Sequence, residues 1–351
     1  MPIQPRPEIE CVPAVTHGGF HSDHETDWLD FSSNVNPFGP SPRIWDAMRA
    51  VPIGQHPDPR AAPLREALAE IENVNPRCLI VGNGSVELIY HLAVAYLRAR
   101  DRILVVEPTF GEYAAAAAIM GAEVIRWRVR AEENFALDVA ALLRLARQVK
   151  PRLFFLCNPN NPTGTFLERG AFEQLLRGCP DTLLVLDEAF VRFAPNAWSS
   201  SELRTSDNLL VLRSLTKDYA LTGLRVGYAI AKPPIIAALE KAQPPWSVNT
   251  LAQVATIAAL RDEQHLRASL DSLARAKSNL VDNLTRLGFV PLPSRVHFFL
   301  LPVPSAAEFA RKLLERNILI RDGTSFGLPT FVRIAARRPE ENAQLASALE
   351  K

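Results

Sequence analysis

The sequence predicts an α/β fold, with a large domain built on a mostly parallel sheet and a smaller α+β domain. Between residues 81 and 230, short apolar runs alternate with helical patterns, and this order requires crossover connections and therefore parallel strands. The 351 residues suffice for one large and one smaller domain. We expect an N-terminal arm at 1–45 that joins the small domain, a large domain at 46–240, and an interdomain helix with the small domain at 241–351.

The elements of the large domain follow from local composition. The glycine-rich segment 81–85 opens a helix that runs to about Arg98, and an alanine-rich run at 114–118 favours the next helix. Apolar runs of four to seven residues predict the strands. Helices are expected at 111–121, 137–148 and 168–177, and strands at 102–107, 123–129, 153–156, 183–187, 209–212 and 225–230.

The pattern changes after Pro233, where the regular alternation ends. A long helical region is followed by short apolar strands around a single further helix, an order that indicates an α+β unit. The helical segments are expected at 247–286 and 306–316, and the strands at 289–292, 297–301, 318–321 and 331–335.

Composition excludes several classes of partner. The formal net charge of +1 argues against a nucleic-acid-binding protein, which would carry a basic excess. The sequence has no run of eighteen apolar residues and no apolar segment near the N-terminus, so we expect neither a membrane partner nor a secretory signal. The four cysteines lack CxxC spacing, which argues against a metal site or a disulfide framework. These features favour a cytoplasmic protein.

The most informative segment, 214–228, follows the apolar run 209–212. Ser214, Thr216 and Arg225 offer two hydroxyls and a guanidinium fork, which together can bind a phosphate dianion. The Lys217 amine, if desolvated beside an arginine, would have a lowered pKa and could form a Schiff base with an aldehyde. A phosphate site around a reactive amine is what pyridoxal phosphate (PLP) requires.

This segment resembles the lysine motif of the fold-type I PLP-dependent transferases, the aspartate aminotransferase superfamily. Two further segments at predicted strand ends support the resemblance, although each alone is also typical of an ordinary turn. In 182–190, the resemblance implies that Asp187 pairs with the pyridine nitrogen of PLP. In the loop 157–164, Cys-Asn-Pro-Asn-Asn-Pro-Thr-Gly, it implies that Asn161 donates to the phenolic oxygen of the cofactor.

Two upstream segments complete the expected cofactor site. Gly84 and Ser85 stand at the start of a predicted helix, whose N-terminal amides and dipole favour a phosphate. The segment 108–113 resembles the family segment whose aromatic side chain stacks on the pyridine ring. We assign that stack to Phe110 and place Tyr113 in the core.

Four features bear on the reaction. Histidinol-phosphate aminotransferases usually carry a tyrosine where this chain has Phe190, which cannot donate to the cofactor. Together with the segments 17–19 (His-Gly-Gly) and 245–249 (Pro-Trp-Ser-Val-Asn) and the paired arginines 333 and 337, Phe190 resembles the threonine-phosphate decarboxylases of cobalamin biosynthesis. This resemblance runs from His17 to about Arg337. It implies decarboxylation of O-phospho-L-threonine to aminopropanol phosphate and CO2.

Two other functions remain open. One is an aminotransferase that acts on histidinol phosphate or another phosphorylated or aromatic amino acid. The other is a non-catalytic PLP-fold protein, which the intact set of cofactor residues and Lys217 disfavours.

The resemblance also names candidate residues for a small phosphorylated amino-acid substrate. Arg333 or Arg337 would bind its carboxylate, with Asn34 nearby, while His17, Arg321 and the remaining arginine are candidates for its phosphate. The sequence leaves the choice between these arginines open.

A homodimer is expected from the same family resemblance. A family tyrosine that reaches the cofactor phosphate of the partner subunit is replaced in this chain by His56. Histidine can still donate to a phosphate, so either His56 keeps this role across the dimer interface with a pH dependence, or the contact is lost.

Overall fold

The computed structural model describes residues 3–10, 12, 14–19 and 28–350, and twelve strands lie within these ranges. They are β1 (Leu29–Asp30), β2 (Leu79–Asn83), β3 (Arg102–Glu107), β4 (Glu123–Arg128), β5 (Leu153–Cys157), β6 (Leu183–Asp187), β7 (Leu209–Ser214), β8 (Val226–Ala231), β9 (Phe298–Pro302), β10 (Ile318–Leu319), β11 (Arg321–Asp322) and β12 (Phe331–Ala335).

The α-helices of the same residues surround these strands. They are α1 (Pro7–Glu10), α2 (Arg43–Arg49), α3 (Ala62–Glu72), α4 (Gly84–Tyr96), α5 (Glu112–Ile119), α6 (Val139–Val149), α7 (Arg169–Gly178), α8 (Pro233–Ala242), α9 (Thr250–Leu260), α10 (Glu263–Arg286), α11 (Ala306–Leu314) and α12 (Pro339–Leu349).

The large sheet has seven strands in the order β2-β8-β7-β6-β5-β3-β4, and all its pairings are parallel except those of β8 with β2 and β7. β8 reverses direction because only residues 215–225, with no α-helix, separate it from β7. A parallel return would need a crossover of a dozen or more residues, usually a helix. The predicted α/β fold with a mostly parallel central sheet is confirmed.

The two faces of this sheet bury alternate residues of each strand, as the two-residue period of β-structure requires. In β6, Leu183 and Val185 pack with side chains of α4, α5 and α8, whereas Leu184 and Leu186 pack with those of α6 and α7. Strands that are apolar on both faces are typical of a parallel sheet covered by helices. The carboxyl ends of β5, β6 and β7 therefore meet at one edge of a rigid layer.

The C-terminal region forms a smaller sheet with the antiparallel order β11-β12-β9, while β1 from the N-terminal part pairs with β10. The domain boundaries expected near residues 45 and 240 stay a prediction. The segment expected as a strand at 289–292 is irregular, because Pro291 and Pro293 supply no backbone donors. The strand expected at 318–321 divides at Ile320 into two short strands with different partners.

The long helical region expected at 247–286 is two helices rather than one. α9 ends at Leu260, and α10 begins after Asp262, whose Oδ1 accepts from the backbone N–H of His265 at 3.4 Å. The other carboxylate oxygen of Asp262 accepts from the Ser41 hydroxyl. The two hydrogen bonds accepted by the N-cap residue Asp262 fix the break between the helices. Within the described ranges, no helix is long and apolar enough to cross a bilayer.

Candidate active site

A cavity of about 900 Å³ lies at the carboxyl ends of β5, β6 and β7, between the large sheet, the β12 strand and the N-terminal segment. It brings together residues that are distant in the sequence but were predicted to act together. The predicted residues that line it are His17, Asn34, Ser85, Phe110, Asn161, Asp187, Ser214, Thr216, Lys217, Arg225, Arg333 and Arg337. Gly84, Arg321 and His56 lie outside the lining.

Lys217 follows β7 by three residues and projects into this cavity. Burial, together with the positive charges of Arg225 and Arg333, lowers the pKa of its amine to about 8, and Asp30 opposes this decrease. The carbonyl of Lys217 accepts from the backbone N–H of Asn36 at 2.9 Å, which fixes the loop. The backbone at Lys217 is therefore held in position, and more of its amine is unprotonated near neutral pH than in an ordinary lysine.

The N-terminus of α4 and Arg225 form a cup for an anion. Asn83, the N-cap residue of α4, makes no capping hydrogen bond with its side chain, and Ser85 in the first turn lines the cavity. Gly84 has a φ of +77°, and a Cβ there would lie 2.6 Å from the Arg225 guanidinium. Only glycine permits this approach. Free amides at a helix N-terminus beside a guanidinium favour a phosphate.

Two hydroxyls stand on the other side of the cup. The Oγ atoms of Ser214 and Thr216 lie 2.7 Å apart, and both side chains are buried. A Cβ at Gly227 would lie 2.3 Å from the backbone nitrogen of Ser85, so this glycine lets β8 pass close to the α4 N-terminus. The structure thus brings together residues that the sequence predicts to bind a phosphate.

Asp187 ends β6 and is 3% exposed. Its Oδ2 accepts from the Tyr113 hydroxyl at 2.6 Å, and its Oδ1 accepts from the Ala189 backbone N–H at 2.9 Å. Burial raises the pKa of Asp187, and these two hydrogen bonds oppose the increase. A carboxylate held in this way presents its negative charge to a protonated ring nitrogen in the cavity.

The aromatic wall of the cavity is formed by Phe110 and supported by Tyr113. The Phe110 ring meets the Tyr113 ring edge to face at 5.7 Å, and Tyr113 in turn stacks on Phe155 at 4.8 Å. Tyr113 is buried, as expected for a core residue, but its hydroxyl also orients Asp187. A tyrosine three residues after an expected stacking residue is the sequence signal that could have revealed this second role.

Asn161 and Arg333 connect the two parts of the molecule across the cavity. One Nη of Arg333 donates to the Asn161 side-chain oxygen, and the other donates to the Ser32 carbonyl. Arg333 is 4% exposed, and burial, together with the positive charge of Arg321, lowers its pKa to about 9. Its Nε has no protein partner within the described ranges. The Arg333 guanidinium is thus buried without a carboxylate in ion-pair contact within the described ranges, and Asp30 only partly opposes the lowering of its pKa.

The three candidate arginines differ in whether a carboxylate of the protein pairs with their positive charge. Arg337 forms an ion pair with Glu341 at 2.6 Å and donates to the Asp30 carbonyl at 2.8 Å. Arg321 donates to the Thr16 carbonyl and to the Ser325 hydroxyl, both at 2.7 Å. Glu341 stands four residues after Arg337, a spacing that could have revealed the pair in the sequence.

The N-terminal segment places His17 at the cavity wall. The Nε2 of His17 donates to a carboxylate oxygen of Glu112 at 2.9 Å, and the Tyr90 hydroxyl donates to the other oxygen at 2.7 Å. Glu112 is buried and lines the cavity, yet no pattern in the sequence distinguished it from an ordinary acidic residue in the first turn of a helix. His17 is therefore engaged by a carboxylate of the protein.

The remaining predicted residues occupy different environments. Asn34 is buried and lines the cavity, and its side-chain oxygen has no protein partner within the described residues. Phe190 also lines the cavity and packs edge to face on Phe298 at 5.0 Å. His56 is exposed and stacks on Trp246 at 4.8 Å, so its role toward a partner subunit stays a prediction.

Comparison with known proteins identifies the family. The model of the aminotransferase class I and II family matches residues 26–349. The chain belongs to this family. A histidinol-phosphate aminotransferase from Moorella thermoacetica is 37% identical over 334 residues, 93% of this chain and 85% of the relative. One from Symbiobacterium thermophilum is 37% identical over 329 residues, 92% of this chain and 90% of the relative.

Solved structures show the same fold. The histidinol-phosphate aminotransferase from Sinorhizobium meliloti in complex with pyridoxal-5'-phosphate matches with a TM-score of 0.89 and 25% identity, covering 98% of this chain and 96% of that structure. The L-threonine-O-3-phosphate decarboxylase from Porphyromonas gingivalis matches with a TM-score of 0.78 and 30% identity, covering 92% of this chain and 98% of that structure.

The cofactor of this aminotransferase-family protein is PLP. The cavity fits the group: Ser85, Ser214, Thr216 and Arg225 offer donors to its phosphate, and Lys217 offers an amine to its aldehyde. Three further residues line the same cavity. Asp187 offers a carboxylate to the ring nitrogen, Phe110 offers a flat wall to the ring, and Asn161 offers a donor to the phenolic oxygen. When bound, PLP supplies an electron sink for amino-acid chemistry.

The interpretation of the sequence as a threonine-phosphate decarboxylase is overturned by these comparisons. The curated relatives with 31–37% identity that cover over nine-tenths of the chain are named histidinol-phosphate aminotransferase. His17 is engaged by Glu112 and Arg337 by Glu341, so neither is an unpaired cation. Phe190 packs in the hydrophobic cluster of the smaller sheet.

The lowered pKa of Lys217 makes cofactor loading depend on pH. With a pKa of about 8, about a tenth of the amine is unprotonated at pH 7 and about nine-tenths at pH 9. We therefore expect the rate of PLP incorporation into the cofactor-free protein to rise roughly tenfold over this interval and then level off. Absorbance-monitored loading at several pH values tests this prediction. A rate that rises roughly a hundredfold would indicate an ordinary lysine pKa.

Proposed function

We propose that this protein is a PLP-dependent aminotransferase whose amino donor is histidinol phosphate. The observation that carries the proposal is the pair of buried guanidinium groups, Arg321 and Arg333, which lie opposite each other on β11 and β12. Within the described ranges, neither has a carboxylate within ion-pair distance, and Asp322 and Asp30 only partly oppose the lowering of the pKa values of Arg321 and Arg333, respectively.

Two like charges opposite each other on neighbouring strands repel, and each lowers the stability of the charged form of the other. Burial lowers the pKa of Arg321, and burial together with Arg321 lowers that of Arg333. A bound dianion would offset the repulsion and the desolvation of the two arginines, because it accepts charge-assisted hydrogen bonds in a site sheltered from water. Arg333 lines the cavity and would contact the substrate phosphate, while Arg321 adds positive charge from the neighbouring strand.

Lys217 and Asp187 support the amino-transfer chemistry. The Lys217 amine, with a pKa of about 8, can accept and return a proton near neutral pH, as movement of the substrate's Cα proton requires. Asp187 provides negative charge for the ring nitrogen of the cofactor, and the Tyr113 hydroxyl orients it. The names of the curated relatives support the choice of substrate.

We also propose that the active protein is a homodimer. Ile53 is 82% exposed and Trp246 is 47% exposed, and the His56 ring stacks on Trp246. Large apolar side chains at a surface are typical of a face that another chain covers. His56 would then be positioned at this interface.

Half-reactions of the PLP-loaded protein test the proposed function. Histidinol phosphate alone is expected to shift the cofactor absorbance to that of the pyridoxamine form, and 2-oxoglutarate is expected to restore it. O-phospho-L-threonine without an oxoacid serves as the comparison and is expected to release no CO2. Multiple turnovers of CO2, or no spectral change with histidinol phosphate, would refute the proposal.

A further inference from the structure

The His17 side chain places an imidazole at the cavity wall. The His17 ring donates through Nε2 to Glu112 at 2.9 Å, and its centroid lies 5.9 Å from that of Phe110 with the planes tilted by 54°. The carboxylate thus accepts a hydrogen bond from an imidazole at a position next to the aromatic wall.

The two sides of this contact differ in how firmly they are held. Glu112 lies in the first turn of α5, and its side chain is 9% exposed and anchored by Tyr90 from α4. The His17 side chain is 55% exposed and belongs to a segment without regular secondary structure. The carboxylate is thus a fixed feature of two packed helices, whereas the histidine can leave at a low cost in buried area.

Glu112 remains able to accept a new donor. A carboxylate offers about four lone-pair positions, and the two contacts from His17 and Tyr90 leave capacity at both oxygens. Within the described ranges, Glu112 has no lysine or arginine within ion-pair distance. A buried carboxylate without a permanent cation favours a ligand that brings an N–H donor or a positive charge.

This contact lies near the proposed phosphate position. A Cβ at Gly18 would lie 3.4 Å from an Nη of Arg333, and Gly18 directly follows His17. The Glu112 carboxylate and the Arg333 guanidinium are consequently bridged by one dipeptide, a span on the order of 10 Å. A molecule with an imidazole and a phosphate at opposite ends of a short chain matches this arrangement.

We propose that Glu112 forms the subsite for the substrate's imidazole, and that His17 occupies it until the substrate ring displaces it. This inference rests on the proposed function, in which histidinol phosphate is the amino donor. A purely structural contact between His17 and Glu112 would instead hold the N-terminal segment in place and act equally on every substrate.

Substitutions at the two residues have opposite expected effects. Glu112→Gln keeps the shape of the side chain but removes its charge, and is expected to lower kcat/KM for histidinol phosphate roughly 10- to 100-fold. His17→Ala removes the competing ring and is expected to lower KM for the same substrate about 3- to 10-fold. His17→Gln is the comparison variant: its amide can still donate to Glu112, so it is expected to lower KM less than His17→Ala does.

The half-reaction with glutamate, a donor that lacks a ring, separates recognition from structure. For Glu112→Gln, the loss with histidinol phosphate is expected to exceed the loss with glutamate at least about tenfold. Equal losses with both donors, or a raised KM in His17→Ala, would show that the contact is structural and overturn the proposal. Retention of the cofactor absorbance verifies that each variant is folded.

A binding measurement keeps this test independent of the proposed function. Saturation-transfer NMR with 4-methylimidazole on the PLP-loaded protein is expected to show stronger binding to His17→Ala than to the wild type. The double variant His17→Ala/Glu112→Gln is expected to show no such binding of 4-methylimidazole. Absence of binding to His17→Ala refutes the imidazole subsite. If the wild type fails to transaminate histidinol phosphate while this binding pattern holds, the proposed function is wrong but the subsite stands.

Discussion

Replacing Lys217 by alanine is expected to abolish the visible absorption of the PLP-loaded protein and to lower turnover at least about 10⁴-fold. Among the residues that line the cavity, Lys217 is the only lysine, so no neighbouring amine there can take its place toward the aldehyde of the cofactor. Absorption spectra after dialysis, together with half-reaction rates, measure both effects.

Lys277 provides the matched control. Burial lowers its pKa to about 8, as for Lys217, but its amine donates to the Ser294 carbonyl at 2.6 Å and it lies outside the cavity lining. Lys277→Ala is therefore expected to retain the absorption band. Retention of the band in the dialysed Lys217→Ala protein would refute the assignment of Lys217.

Replacing Arg333 by glutamine is expected to raise KM for histidinol phosphate roughly 30- to 4000-fold. This range corresponds to the loss of about 2–5 kcal/mol when one partner of a buried, hydrogen-bonded charge pair is removed. The effect is expected to be large because Arg333 is buried, lines the cavity and has no carboxylate partner within the described ranges. Steady-state kinetics at saturating 2-oxoglutarate measure the change.

Arg338 is the control for Arg333. It is exposed, lies outside the cavity lining and donates to the Pro37 carbonyl at 3.0 Å. Arg338→Ala is expected to change KM by less than about threefold, as is typical of an exposed residue. The proposed phosphate site is wrong if Arg333→Gln has no larger effect than this control.

The cofactor site follows largely from the sequence because it depends on strand ends. Asp187 and Lys217 each come at or just after an apolar run, and the carboxyl ends of neighbouring parallel strands meet at one edge of a sheet. Gly84 and Arg225 were likewise recognisable, since a helix N-terminus and a guanidinium are general phosphate-binding groups. Local chemistry and chain order were sufficient for these residues.

The choice of substrate residues depended on contacts between distant segments. The sequence contains Arg321, Arg333 and Arg337 as similar cations, but only the structure shows that Glu341 neutralises the last of them. It also shows that β11 and β12 place the other two opposite each other. Register between strands far apart in the chain determines this pairing, and local patterns carry little information about such register.

The sequence by itself therefore determined the α/β fold, the PLP cofactor and a set of candidate residues most of which line the cavity, because these depend on periodicity, strand ends and side-chain chemistry. Only the tertiary structure decided which charges are paired, that Tyr113 orients Asp187, and that Glu112 accepts a hydrogen bond from the imidazole of His17. The physical reason is that the effect of a charge depends on its burial and its neighbours, and both are set when remote segments pack together.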